Sequence, residues 1–131
     1  MSLNWAKPNH NHASEYQVSG WPFVTGSVSV TAAAFRVEFP QVTQWFQVNN
    51  TSDKDLRVGF TQAGVDGTNY FVLLGAADPR SCMKFDVKCK EIWVRPVTLS
   101  DTAVFSVAAG LTNVTGSEFP PFGPSNGFVG T

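Results

Sequence analysis

Apolar and polar side chains alternate along most of the middle of this chain. Val28 and Val30 alternate with Ser27, Ser29 and Thr31, and Val37 and Phe39 alternate with Arg36 and Glu38. Leu56, Val58 and Phe60 share one face of LRVGF, and Met83, Phe85, Val87 and Cys89 alternate with Lys84, Asp86, Lys88 and Lys90. A period of two puts one set of side chains on each face of a β-strand. Strands are therefore predicted over 27–35, 36–39, 42–48, 56–60, 69–74, 83–90, 91–97 and 102–111. No segment carries the 3.6-residue apolar period of an amphipathic helix. Short strands at this spacing predict an all-β fold, a single antiparallel β-sandwich or jelly roll.

The segments between the strands carry turn chemistry. Pro40 and Pro96 interrupt a ladder and mark an edge, a bulge or a strand end. NNTSDKD at 49–55 is a cluster of residues that bond to their own backbone. Asp66–Gly67, between LRVGF and NYFVLL, suits a hairpin turn that needs positive φ. GAADPRS at 75–81 reads as a loop.

The two ends differ from the middle, and the chain divides into an extended N-terminal arm (1–26), a sandwich domain (27–112) and an extended C-terminal arm rich in Pro, Phe and Gly (113–131). The arms together hold five of the eight prolines and seven of the seventeen aromatic residues. Trp5, Tyr16, Trp21 and Phe23 in front and Phe119, Phe122 and Phe128 behind are large apolar groups in segments without strand or helix periodicity. Pro8, Pro22, Pro120, Pro121 and Pro124 stiffen the backbone and lower the entropy cost of holding it extended. Rings on a stiffened strap make these seven aromatics the candidate partner-binding residues. The alternative, left open by the sequence, is that the arms fold back over their own sandwich.

Composition narrows the function classes. The 131 residues suffice for one core, and 43% hydrophobic residues are ample to fill it. Only 15% are charged, against roughly 25% in typical globular domains, which suits a protein packed against partners. A formal charge of −1 supplies no field toward phosphate backbones, so nucleic acid is not an expected partner. No apolar run approaches the roughly 20 residues of a membrane span, and the N-terminus lacks a signal peptide's apolar core. The expected site of synthesis is a cytoplasm.

Candidate chemistry is sparse. The two histidines, His10 and His12, lie in the polar arm with no carboxylate or cysteine at ligand spacing, so neither a catalytic triad nor a metal centre is expected. Asp53, Asp55 and Asp66 read as turn residues rather than calcium ligands. Glu38 and Glu91 are a nominal carboxylate pair. Cys82 and Cys89, seven apart, fall on opposite faces of one strand and read as free, mostly buried thiols. Five basic residues between Arg80 and Arg95 read as a solvated outer face that discourages edge pairing. No catalytic, cofactor-binding or metal residues are assigned.

LRVGFTQAGVDGTNYFVL (56–73) and MKFDVKCKEIWVRPV (83–97) resemble, in strand spacing and loop chemistry, small virion-associated β-sandwich proteins of double-stranded DNA viruses and phages. These are structural proteins of the single jelly-roll, cement and decoration type. The resemblance covers the central domain and implies a non-enzymatic structural subunit of a virus particle, often a homo-oligomer, bound to subunits of the same or a neighbouring virion component. It leaves the arms outside. A carbohydrate-binding or receptor-binding module would use the same sandwich, with Trp45 or Trp93 stacking on sugar rings.

Overall fold

The computed structural model describes residues 20–75 and 81–121. Eight strands form two four-stranded sheets: β1 (Trp21–Thr31), β2 (Phe35–Glu38), β3 (Gln41–Asn50), β4 (Leu56–Gly59), β5 (Phe71–Leu73), β6 (Cys82–Phe85), β7 (Glu91–Pro96) and β8 (Thr102–Thr115). The first sheet has the order β1-β8-β3-β6 and the second β2-β7-β4-β5. Within this order β1 pairs with β8, β2 with β7, β3 with β6 and β4 with β5, every pair antiparallel. The chain is thus one long nested hairpin with its apex between β4 and β5, rolled so that successive pairs fall in alternate sheets. That arrangement is a jelly roll.

The inward positions of both sheets meet in one core. Val37, Phe46, Val48, Leu56, Val58, Ile92, Val94, Phe105 and Val107 are buried in it. Phe46 stacks on Phe85 at 5.5 Å and meets Phe60 edge-on at 6.1 Å. Val58 and Cys89 are fully buried, and Phe60, Phe85 and Val87 pack against the core from partly buried positions, so the alternation in both segments marks the core face.

Several boundaries differ from expectation. β1 begins at Trp21, inside the segment expected to be an arm, because Pro22 sits on an edge strand and costs the sheet no ladder bond. A bulge between Thr25 and Val28, with Ser27 at φ 49°, separates its two halves and explains why the alternation before Ser27 reads poorly. β8 continues to Thr115, beyond the expected end of the domain. The strand expected over 83–90 closes at Phe85. Beyond it Thr43 holds the segment irregularly, its hydroxyl accepting from Cys89 N at 3.1 Å and donating to Val87 O at 2.9 Å while its backbone N–H donates to Cys89 O at 2.9 Å.

The connection at Asp66–Gly67 also differs. β4 and β5 do form an antiparallel pair, but they are joined through a short helix, α1 (Gln62–Asp66), capped by Thr61, whose hydroxyl accepts from Gly64 N at 2.9 Å. Gly67 follows with φ −100°, so no positive-φ turn is present. The Thr61 cap selects a helical turn over a tight hairpin loop. The turn cluster at 49–55 is organised by Asn50, whose buried amide donates to Leu74 O at 3.0 Å and accepts from Ser52 N at 3.1 Å.

Candidate functional site

The two sheets present outer faces of different composition. On the first sheet, the outward positions are Pro22, Val24, Ser29 and Thr31 of β1, and Thr102, Val104, Ser106, Ala108 and Gly110 of β8. Trp45, Gln47 and Asn49 of β3 and Cys82 and Lys84 of β6 complete the face. Lys84 is the only charged side chain among them. Val24 is 76% exposed and Trp21, at the start of the same strand, 61%.

A trough of about 790 Å³ crosses this face at the Trp21 end. Gly20 to Val24 form one wall, Ala108 and Gly110 the floor, and Trp45, Lys84, Asp86 and Lys88 the opposite wall. Two glycines make it possible. A Cβ on Gly110 would lie 2.4 Å from Trp45 Nε1, so the indole lies across β8 only because no side chain stands there. A Cβ on Gly20 would lie 2.0 Å from Leu111 O, so the chain enters β1 pressed against the backbone of β8. Trp21 is held from below, its indole N–H donating to Asn113 Oδ1 at 2.8 Å. Lys84 Nζ stands 5.1 Å from the centre of the Trp45 ring and 3.7 Å from Asp86 Oδ1.

On the second sheet the outward positions include Arg36, Glu38, Arg57, Glu91 and Arg95, five charges, with Trp93 and Val72. Two of the three arginines meet carboxylates. Arg36 pairs with Glu38 at 3.3 Å and with Glu91 through its Nε, and Arg95 Nη1 pairs with Asp66 Oδ1 at 3.1 Å. Arg57 lies 4.2 Å from the Tyr70 ring centre, and its Nη1 donates to Val65 O at 3.4 Å. The helix α1 covers this face, with Val65 fully buried beneath it. Glu38 and Glu91 stand directly opposite in register, and the Arg36 guanidinium binds both.

The sequence-predicted residues distribute as follows. Trp21 and Phe23 lie in β1, Trp21 at the rim of the trough and Phe23 edge-on to Phe39 at 5.2 Å. Phe119 is buried in a satellite cluster with Val42 and Val114 of its own chain, so its ring closes the base of the sandwich rather than facing outward. Trp5, Tyr16, Phe122 and Phe128 lie outside the described residues, as do His10 and His12. Trp45 reaches the trough, and Trp93 lies half-buried on the charged face. Gly20 and Gly110 were not singled out by sequence, while Lys84 was read only as part of a solvated outer face. A glycine amid a predicted strand was the available signal for Gly110.

Of the cysteines, Cys82 is exposed on the first sheet's outer face, where Gln47 Nε2 approaches its sulfur at 2.9 Å, because β6 is an edge strand. Cys89 is buried, and desolvation pushes its thiol up to about 12 despite the Thr43 hydroxyl at 3.3 Å. It is a neutral core group. Among the described residues no three His, Cys, Asp or Glu side chains cluster as metal ligands, and no helix is long and apolar enough to cross a membrane. The sequence matches no protein-family model and no curated protein.

Proposed function

We propose that this chain is a non-enzymatic structural subunit of a virus particle, a capsid, cement or decoration protein that binds neighbouring subunits through its sandwich and its arms. The observation that carries this is the outer face of the first sheet, a broad surface whose outward strand positions carry one charge, Lys84, with Val24 exposed on its edge strand and no helix laid over it among the described residues. A face so poor in charge desolvates at little electrostatic cost when another subunit covers it. The jelly-roll order supports the same reading, as does the resemblance of segments 56–73 and 83–97 to small virion proteins. Fold alone does not assign function, so the face is the stronger support.

The test is recovery from particles. Mass spectrometry of purified virions should find the chain in stoichiometric amounts, and Val24→Lys with Thr31→Lys should lower its incorporation at least tenfold while circular dichroism stays unchanged. Equal incorporation of the charged variant would remove this face from the interface.

A second reading is favoured by one observation: Trp45 lines an open trough with the Lys84 ammonium over its ring and Asp86 in the same wall, an aromatic group among polar ones. That combination suits a sugar ring. A glycan array probed with the full chain and with Trp45→Ala discriminates the two readings.

A further inference from the structure

We infer that β1 is a pairing edge for a second copy of this chain, the two strands running antiparallel about a two-fold axis between Gly26 and Ser27, with Val24 opposite Ser29 of the copy.

Four strands stand at the sheet edges, and they offer different things to a neighbour. β2, β5 and β6 have only four, three and four residues, and β2 carries Arg36 and Glu38 while β6 carries Lys84. β1 has eleven residues and no charge, and Val24 on it is 76% exposed. Short or charged edges resist pairing, and a long uncharged one invites it. Charge also decides which edge can meet its own copy, because a two-fold contact sets a patch against itself. On β1 that contact opposes no like charges.

The direction of the backbone groups selects the register. Residues of an antiparallel strand turn their N–H and C=O alternately to one neighbour and the other. Thr51 N donates to Val104 O at 3.0 Å on the β3 side of β8, so Phe105 and Val107 turn toward β1, where they face Val28 and Thr25. Pro22, Val24, Ser29 and Thr31 therefore direct their backbone groups to the open edge. The bulge between Thr25 and Val28 shifts the alternation, which is why the outward positions are even before it and odd after it.

A two-fold axis between Gly26 and Ser27 matches the shifted alternation to its own reverse. In this register the four outward residues pair among themselves, Val24 with Ser29 and Pro22 with Thr31. The side-chain faces agree too, since Phe23 falls opposite Val30 and both pack on the core side of the sheet. Each Val24–Ser29 pair then makes two backbone hydrogen bonds, and each Pro22–Thr31 pair makes one. The bond missing from the second pair is one that neither residue requires. Pro22 has no N–H to donate, and Thr31 O already accepts from Ala33 N within its own chain. At the axis a Cβ on Gly26 would meet nothing within 4 Å, so the two bulges have room to face each other.

This pairing goes beyond the assembly reading and does not rest on it, because it is measured on isolated protein. The experiment is sedimentation equilibrium of the full chain over a hundredfold range of concentration. A reversible dimer should form with a midpoint on the order of 100 μM, as suits a contact at the small end of the interface range. Val24→Lys and Ser29→Pro should each weaken it about tenfold or more, the first by placing a charge on the edge and the second by removing an edge N–H. Val24 is exposed, so Val24→Lys keeps its thermal melt and carries the test should Ser29→Pro fail to fold. Register is read by cross-linking in a Cys82→Ser background. Val24→Cys protein mixed with Ser29→Cys protein should give a disulfide-linked dimer on mild oxidation. Val24→Cys alone should give none, because its two thiols lie more than about 12 Å apart in this register. A chain that stays monomeric throughout would overturn the inference. So would a dimer that both edge variants leave intact, or a Val24→Cys protein that cross-links to itself as readily as the mixture does.

Discussion

The two outer faces of this sandwich solve the same problem in different ways. Each is the back of a four-stranded sheet whose front is buried in a common core, so each must end in something that tolerates water or a partner. The second sheet carries five charges, and almost all of them are answered within the chain, Arg36 by Glu38 and Glu91, Arg95 by Asp66, Arg57 by the Tyr70 ring. The helix α1 lies over what remains. At its outward strand positions the first sheet carries Lys84 and otherwise uncharged groups, around a trough whose far wall adds Asp86 and Lys88. One face is closed by its own side chains and a helix, and the other is left open among the described residues. On the proposed assembly reading the contacts belong to the open face, since a paired charged face loses its hydration on docking and an uncharged face has little to lose.

The sharpest way to break the comparison is to unpair the closed face. Asp66→Ala leaves the Arg95 guanidinium, on a residue only 8% exposed, without its carboxylate, and releases a five-residue helix too short to hold itself in water. Asp66 is itself half exposed, which places the expected loss at the lower part of the range for broken buried pairs, about 2–3 kcal/mol in urea unfolding. The matched control is Asp86→Ala on the open side, where the 3.7 Å pair with Lys84 is solvated and less than about 0.5 kcal/mol should be lost. Equal losses from the two would erase the distinction between the faces.

A smaller effect is expected at the floor of the trough. Gly110→Ala places a methyl group 2.4 Å from Trp45 Nε1, so the indole must lift off β8. The indole has open trough to move into, and the cost should be about 1–2 kcal/mol, with a change in tryptophan emission. A variant with wild-type stability and emission would show that Trp45 does not lie across the strand.

The crossing between the faces is sensitive to alkali. Burial raises the Cys89 thiol to about 12 in the folded protein, above its unfolded value, so its contribution to stability is complete below the unfolded pKa and is lost as pH rises from there toward the folded pKa. Between pH 8 and 9.5 the wild type should lose about 1 kcal/mol more than Cys89→Ala does, measured as the difference of their unfolding free energies at each pH. Parallel profiles for the two proteins would show that the thiol titrates normally.

Much of this fold was legible because most of its strands have one face in the core. Val58 and Cys89 could be placed inward by alternation alone, and Asn50 and its neighbours announced a turn. The errors fall where a side chain or a bulge replaces regular pairing. Side-chain bonds of Thr43 make the pairing irregular beyond Phe85, the Thr61 cap makes a helix where Asp66–Gly67 suggested a tight turn, and the bulge at Ser27 hides the first half of β1. The trough was not legible, because Gly20, Trp45, Lys84 and Gly110 are brought together by cross-strand register, which a linear pattern does not contain.

The smallest effect concerns the corner where β1 leaves the open face and the chain crosses to the closed one. Ala32, immediately after β1, has φ 51°, a left-handed conformation in which Cβ crowds the following carbonyl at a cost of roughly 1–2 kcal/mol. Glycine removes that clash but gains freedom in the unfolded chain, which offsets roughly 0.5–1 kcal/mol. Ala32→Gly should therefore stabilise the protein by about 0.5 kcal/mol, a shift of about 2–3 °C in Tm, although it deletes a methyl group. Ser27→Gly, at φ 49° in the bulge, tests the same strain on the exposed edge of the open face. If both glycines stabilise, the bulge and the corner are held in place by the flanking strands against local preference. If Ala32→Gly destabilises, the corner is not left-handed, and the register of β2 against β7, which starts three residues later at Phe35 opposite Val94, has to be reconsidered with it.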